Sequence, residues 1–107
     1  MKPRAFDYVR PDTLAEAVEI LAQYGDDARI MAGGQSLMAI LNLRMAEPKV
    51  IVDIGGHAAF KGIKVVGGYL EIGASVPQNE LMSWPDLAGT SPLLAKALPW
   101  VGHFQTR

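Results

Sequence analysis

Three short β-type runs alternate with two helical patterns in the first half of the chain, and this alternation restricts the fold more than any other feature. The β-type runs span residues 5–10, 29–31 and 49–54, and the last of them, KVIVDI, is almost continuously apolar. Continuous apolar strands are typical of parallel sheets that are covered on both faces. Strands that alternate with crossover helices favour the same arrangement. The sequence therefore predicts an α/β fold, α+β over the whole chain, that begins with a small three-stranded parallel βαβαβ sheet and flanking helices.

The first helical pattern is marked at both ends. Thr13, with Glu16 three residues later, forms a capping-box pattern. Gly25 stands where a C′ glycine ends a helix. The apolar residues between them repeat at helical spacing and share one face: Leu14, Ala17, Val18 and Leu21. A second helix is predicted over residues 37–44, with Ser36 as its N-cap.

The second half of the chain has a different character. Two β-rich runs within residues 63–72 are separated by Gly67-Gly68, which is a hairpin signal. Two short helical segments follow, PQNELMSW and SPLLAKALPW. In the second of these, Ser91 is the predicted cap and Pro92 the first helical residue. We therefore divide the chain into a parallel α/β part, residues 1–54, and a partial antiparallel part of strands and helices, residues 55–107.

Composition argues against several classes of function. The net charge is −1 and no segment concentrates Lys or Arg, so the chain lacks the basic footprint of a nucleic-acid-binding protein. It has no cysteine, which excludes disulfides, thiolate zinc sites and cysteine nucleophiles. No apolar run has the length of about 20 residues that a membrane span needs, and the N-terminal residues lack the apolar region of a signal peptide. A cytoplasmic protein without a membrane span is expected.

Single polar residues give no catalytic or metal-binding pattern. His57 and His103 are the only histidines, and neither has a second histidine or a carboxylate at ligand spacing. No Ser–His–Asp set or pair of carboxylates is evident either, so we predict no catalytic side chain and no metal site. Asp53 ends the third β-type run, where we predict a structural role in the turn.

The segment RIMAGGQSLMAIL carries the most informative pattern of the chain. It places Gly33 and Gly34 between a strand and a helix, with Ser36 close behind. Glycine lets a ligand approach the backbone, and the first N–H groups of a helix point outward without internal partners. Such a junction suits an anion, most often a phosphate. Ser36 either caps the helix or donates to a phosphate oxygen, and Arg29 either reaches a phosphate or is a solvated strand residue. The alternative is a tight strand-to-helix turn without a ligand.

Several segments together resemble one protein family. FDYVRPDTLAEAVEIL, ARIMAGGQSLMAILNLR, VIVDI, LEIGAS and VGHFQTR occur in an order and spacing similar to the FAD-binding medium subunit of the molybdenum hydroxylases, the group of carbon monoxide dehydrogenase and xanthine dehydrogenase, with its PCMH-type FAD-binding domain. AGGQSL is the most specific of these segments, since it matches the family's first flavin-diphosphate loop. The resemblance spans essentially the whole chain.

The resemblance implies a cofactor and a set of residues that bind it. FAD is the implied cofactor, and in this family it carries the redox chemistry while the protein positions it. The implied cofactor-binding residues are Arg29, Ile30, Met31, Ala32, Gly33, Gly34, Gln35, Ser36, Leu37, Val101 and Gly102.

The resemblance also implies partners. The family's subunit passes electrons from iron–sulfur clusters on a small subunit, through FAD, to an outside acceptor, while a large subunit with the molybdenum cofactor oxidises the substrate. The chain stops at Arg107, just before the position of the family's second glycine-rich loop. We therefore expect an N-terminal fragment that binds FAD weakly or not at all alone, is inactive alone, and associates with itself. The alternative is a binding or assembly module without a redox role that uses the strand–Gly-Gly–helix junction as an anion site.

Overall fold

A computed structural model describes residues 1–107, in two compact units that consist of Met1–Ala59 and Phe60–Arg107. The first unit contains the predicted parallel sheet, formed by β1 (Asp7–Val9), β2 (Ala28–Met31) and β3 (Val50–Asp53). The strand order is β1-β3-β2, and both outer strands run parallel to β3. The predicted α/β class and the three-stranded βαβαβ arrangement are therefore confirmed. The division between the units falls a few residues after the boundary at residue 54 that the sequence indicated.

The central strand is the most deeply buried part of the first unit. Val50, Ile51 and Val52 have almost no exposed surface, as the continuous apolar run predicted. Leu41, from the second helix, is also fully buried. Because β3 pairs on both edges, its backbone hydrogen bonds are satisfied and its side chains face the flanking elements.

Helix α1 (Leu14–Tyr24) has the predicted start and end. The Thr13 hydroxyl accepts a hydrogen bond from the Glu16 N–H at 3.1 Å, and the Glu16 carboxylate accepts one from the Asp12 N–H at 2.8 Å. Gly25 ends the helix with φ +51°. The predicted apolar face is buried only in part: Ala17 is buried, whereas Leu14 and Val18 are 51% and 55% exposed.

Helix α2 (Leu37–Asn42) follows β2 and is shorter than predicted. It ends before Arg44 because Arg44 has φ +54°, a backbone conformation that a right-handed helix cannot contain. The Arg44 N–H still bonds to the Leu41 carbonyl, at 3.0 Å, so the chain leaves the helix through a tight turn.

The second unit begins with the predicted hairpin, β4 (Ile63–Val66) and β5 (Tyr69–Ile72). Gly67 and Gly68 have φ +57° and +82°, and positive φ at both central residues is the requirement of a type I′ turn. The double glycine therefore sets the turn, and with it the register of the two strands.

Three short helices complete the second unit: α3 (Gln78–Met82), α4 (Leu87–Thr90) and α5 (Pro92–Ala97). A small core of Leu81, Leu87 and Leu98 joins them, and Ile63 and Leu70 of the hairpin pack against it. The sequence did not predict α4. Pro92 occupies the first turn of α5 as predicted, but Ser91 makes no capping hydrogen bond.

The longest helix, α1, has 11 residues. No helix combines the length and the apolar character needed to cross a membrane.

Candidate functional site

The carboxyl ends of the three parallel strands lie at one edge of the first unit's sheet. Each strand continues there into a loop, at Arg10 after β1, at Ala32 after β2 and at Ile54 after β3. In open parallel α/β sheets, ligands bind outside this edge. The segment at residues 32–36, which we call the glycine loop, is therefore in the position where the fold class places a ligand.

The two glycines of the loop have different surroundings. Gly34 has φ +73°, and a β-carbon there would lie 3.2 Å from the sulfur of Met31 and 3.6 Å from Cγ of Met38. Gly33 has no atom within 4 Å of such a β-carbon, so its outer side is open. Gly34 is thus required by backbone conformation and packing, whereas Gly33 leaves space beside the backbone.

The backbone of the glycine loop presents hydrogen-bond donors without acceptors. The N–H groups of four consecutive residues, from Gly33 to Ser36, donate to no atom of the chain. The first bonds of the helical turn come later, from Met38 to the Gly34 carbonyl at 2.9 Å and from Ile40 to the Ser36 carbonyl at 3.2 Å. Unpartnered N–H groups beside an open glycine are donors that an anionic oxygen can accept.

The predicted cap at Ser36 is wrong. Ser36 has φ −89° and ψ −43°, which is helical, and its side chain makes no capping bond. Capping requires an extended backbone at the cap residue, and the turn that begins with the Gly34 carbonyl already makes Ser36 helical. The exposed hydroxyl therefore remains available to a ligand.

Arg29 lies at the other end of β2. Its Nη1 donates to the carbonyls of Asp26, at 2.8 Å, and Ala28, at 2.6 Å. The glycine loop begins only after Met31, at the opposite end of the strand. A contact between Arg29 and a phosphate in the loop, which the sequence suggested, would require the guanidinium to leave these carbonyls.

Asp53 connects the loops at this edge of the sheet. Its Oδ1 accepts a hydrogen bond from the Gly55 N–H at 2.8 Å, which confirms the predicted turn role, and its Oδ2 accepts one from the Tyr8 hydroxyl. The Tyr8 bond is the main reason that the pKa of Asp53 lies below its usual value; the Gly55 N–H and the charge of Arg10 lower it further, and partial burial opposes them. The same bond raises the pKa of Tyr8. Sequence reasoning missed Tyr8, because the pairing spans β1 and β3.

A second feature of this edge is a pocket of about 380 Å³ beside the β1 and β3 loops. It is lined by Arg10, Pro11, Asp12, Gly56, His57 and Ala58. The Ala59 N–H donates to Nδ1 of His57 at 3.1 Å, so the ring proton sits on Nε2, which lies 2.9 Å from the Asp12 carbonyl. His57 thus joins the two loops as a structural residue. No group of three or more histidine, cysteine or acidic residues is arranged to hold a metal ion.

Val101 and Gly102 belong to the second unit and follow a 3₁₀ turn at Leu98–Trp100. Gly102 has φ +63°. The Arg107 guanidinium donates to the carbonyls of Val101 at 3.0 Å and Gly102 at 2.9 Å, so the carbonyls of this segment are occupied from within the unit.

The glycine loop fits a diphosphate by its donor set. Backbone N–H groups and a hydroxyl bind phosphate oxygens, and the open side of Gly33 allows the close approach that such bonds need. The loop contains no acid or base, since residues 32–36 are Ala, Gly, Gly, Gln and Ser. Its one hydroxyl, that of Ser36, has no hydrogen-bonded base that could activate it as a nucleophile. The arrangement is therefore suited to binding a ligand rather than to transforming it.

Comparison with known proteins gives consistent matches. The family described as the FAD binding domain in molybdopterin dehydrogenase matches residues 4–107. Caffeine dehydrogenase subunit beta of Pseudomonas sp. (strain CBB1) is 39% identical over 100% of the chain and 36% of its own length. The carbon monoxide dehydrogenase medium chain of Hydrogenophaga pseudoflava is 38% identical over 100% of the chain and 37% of its own length.

Solved structures share the fold. A structure of reconstituted CO dehydrogenase from Oligotropha carboxidovorans superimposes with a TM-score of 0.95 at 36% identity, over 100% of this chain and 37% of that one. The chain thus spans little more than a third of the length of the curated relatives it matches.

Proposed function

The chain belongs to the family of FAD-binding domains of molybdopterin dehydrogenases, and from this premise we propose that its glycine loop holds the diphosphate of FAD. The observation that carries the proposal is the run of four N–H groups, from Gly33 to Ser36, that have no acceptor within the chain. FAD is the cofactor of the family, and its diphosphate is the anion that such a run is suited to bind.

The residues of the glycine loop have the main roles in this proposal. The N–H groups of the loop and the Ser36 hydroxyl bind phosphate oxygens, and Gly33 leaves room for them. The Met31 sulfur lies where a β-carbon on residue 34 would meet it, so it helps to keep this position a glycine. The other members of the predicted set have no separate role: Ala32 begins the loop, Arg29, Ile30 and Leu37 flank it, and Val101 and Gly102 belong to the second unit.

We further propose that the chain works within a dehydrogenase of several subunits. Several of its relatives are named as medium chains or subunits of dehydrogenases, which supports a heteromeric assembly. In this proposal the partners are a large subunit with the molybdenum cofactor and a small iron–sulfur subunit, and the complex is cytoplasmic. Bound FAD supplies the redox chemistry by which electrons from the iron–sulfur clusters reach an acceptor. The two parts at residues 1–54 and 55–107 then correspond to the first FAD-binding subdomain and the start of the second.

The test of this function is a charge placed in the loop. In the complex that contains this chain, we expect Gly33→Asp to lower the FAD content at least tenfold, because the carboxylate repels the diphosphate. Gly33 is a better position than Gly34, whose φ of +73° would add backbone strain to the effect. Flavin content is measured from visible absorbance per subunit after gel filtration.

Two control variants separate charge from general damage. Gly33→Asn has nearly the same size without the charge and should retain more FAD than Gly33→Asp. Gly89→Asp makes the same substitution at a glycine that is equally open but lies in the second unit, and it should leave the FAD content unchanged. Unchanged FAD content in Gly33→Asp would overturn the assignment of the loop.

A further inference from the structure

We infer that Asp53 is a positioning residue for the glycine loop: it fixes Gly55 against the first carbonyl of the loop and thereby sets the loop's position. The inference rests on the proposed function for its effect on FAD, but its structural part stands on contacts within the first unit alone.

The turn after β3 lies against the start of the glycine loop. The Ile54 N–H donates to the Met31 carbonyl at 2.8 Å, so the pairing of β3 with β2 continues beyond the strands. One residue further, a β-carbon on Gly55 would lie 3.0 Å from the Ala32 carbonyl oxygen. The backbone of Gly55 therefore packs directly against Ala32, where the glycine loop begins.

Asp53 holds Gly55 in this position. Asp53 Oδ1 accepts the Gly55 N–H at 2.8 Å and also lies 3.1 Å from the position of a Gly55 β-carbon. Asp53 Oδ2 accepts the Tyr8 hydroxyl. Both oxygens are thus used, one by β1 and one by the turn after β3, and the carboxylate cannot rotate without losing a bond.

The position of Gly55 in turn restrains the glycine loop. The N–H groups of the glycine loop have no acceptor within the chain, so no hydrogen bond of their own restrains them. Their restraint comes from both sides, from Met31 and Met38 against Gly34 and from Gly55 against Ala32. Without the carboxylate of Asp53, Gly55 is no longer fixed, and its restraint on Ala32 is lost. A binding site that is held in place in advance binds more tightly, because less conformational entropy is lost on binding.

The test measures the order of the loop directly. In the complex that contains this chain, after removal of FAD, amide hydrogen exchange of the segment at residues 32–36 should be about tenfold faster in Asp53→Ala than in the unaltered complex, because exchange reports on local opening. Asp53→Asn should retain the order, since its amide can accept from Gly55 and donate to the Tyr8 oxygen. Tyr8→Phe removes one anchor, is the milder variant if Asp53→Ala fails to fold, and should give an intermediate loss.

The outcomes separate this inference from the proposed function. The inference would be overturned if Asp53→Ala left the order of the loop unchanged. If Asp53→Ala does not fold, unchanged loop order in Tyr8→Phe would overturn it. An equal loss of order throughout the first unit would overturn it as well. In the FAD-containing complex, the dissociation constant of FAD should rise about tenfold in Asp53→Ala, which corresponds to a loss of about 1.4 kcal/mol in binding free energy. It should rise little in Asp53→Asn. Loss of loop order with no change in FAD affinity would support the positioning role and contradict FAD binding by the loop.

Discussion

Asp53 is an acidic residue whose surroundings stabilise its charge, at the edge of the sheet where the three parallel strands end. It accepts hydrogen bonds from Tyr8 and Gly55 and lies near the positive charge of Arg10. These groups favour its ionised form, which is why its pKa in the folded chain lies below the usual value of about 3.9. A group with a depressed pKa makes folding depend on pH in a predictable direction.

The pH dependence of unfolding should therefore report on the Tyr8–Asp53 bond. The contribution of Asp53 is fully present above its unfolded pKa of about 3.9 and is lost as the pH falls through the lower folded pKa. We expect the free energy of unfolding, measured with urea, to fall below about pH 4, and to fall less steeply in Tyr8→Phe.

Tyr69→Phe is the matched control, because Tyr69 is an exposed hairpin residue with no hydrogen bond to a carboxylate. In Tyr69→Phe, the free energy of unfolding should fall below about pH 4 as steeply as it does in the unaltered chain. If it fell as steeply in Tyr8→Phe, the Tyr8–Asp53 bond would have no thermodynamic role.

Among elements, the hairpin of the second unit depends on the carbonyl of Phe60. Ser75 donates to this carbonyl from both its N–H and its hydroxyl, each at 2.9 Å. The Gly73 N–H bonds to the Gly62 carbonyl at 2.9 Å, which closes the base of the hairpin. The chain on both sides of the hairpin is thus held in close backbone contact.

Gly73→Ala should disrupt this base. A β-carbon at Gly73 would lie 2.6 Å from the carbonyl carbon of Phe60 and 2.8 Å from that of Lys61, and these backbone atoms cannot move aside cheaply. We expect a loss of about 1–3 kcal/mol in the stability of the second unit, measured by hydrogen exchange in β4 and β5.

Gly56→Ala provides the comparison. Its β-carbon would overlap the Arg10 guanidinium, which is the end of a flexible side chain and can swing away. The expected effect on stability is within about 0.5 kcal/mol. If the two substitutions lowered the stability equally, contact with backbone atoms would not be what decides the loss of stability at a glycine.

The elements with strong local signals were predictable from sequence. The capping box at Thr13, the double glycine at 67–68 and the apolar run of β3 act through local sterics or continuous burial, and each forms as expected. Helix α4 was missed because it has only four residues and no apolar periodicity; Asp86 before it is a typical cap residue but makes no capping bond. The helix forms where Leu87 packs into the small core.

The predicted site was incomplete for a different reason. The glycine loop was recognisable because Gly33 and Gly34 stand between a strand and a helix and because AGGQSL resembles the family's first flavin-diphosphate loop. The Ser36 cap was wrong because sequence does not show which carbonyl accepts the first helical bond, and here it is that of Gly34. Tyr8 and the pocket beside His57 depend on the strand order β1-β3-β2, which brings together residues about 45 positions apart.

Exposed apolar side chains of the second unit give the molecule a surface through which copies can associate. In the second unit Trp100 is 88% exposed and Leu93 80%, and Phe104 is also mostly exposed. The hairpin has only two strands, so each has an unpaired edge. A net charge of −1 provides little repulsion between copies.

We therefore predict that the chain self-associates at tens of micromolar, as sedimentation equilibrium would show. Replacing Trp100 and Leu93 together by Ser should weaken the association if the C-terminal segment forms the contact, whereas Tyr69→Lys should weaken it if the hairpin edges pair. A monomer of 11.5 kDa with a cooperative melt would contradict the prediction.

Amide hydrogen exchange tests the binding of the FAD diphosphate by the glycine loop, in the complex that contains this chain after its FAD has been removed. FAD and riboflavin, which lacks the diphosphate, are added in parallel at equal concentration. We expect FAD, but not riboflavin, to slow the exchange of the segment at residues 32–36, and we expect Gly33→Asp to abolish this protection while Gly89→Asp preserves it. No protection by FAD, protection that spares this segment, or protection that riboflavin reproduces would contradict the assignment of the loop.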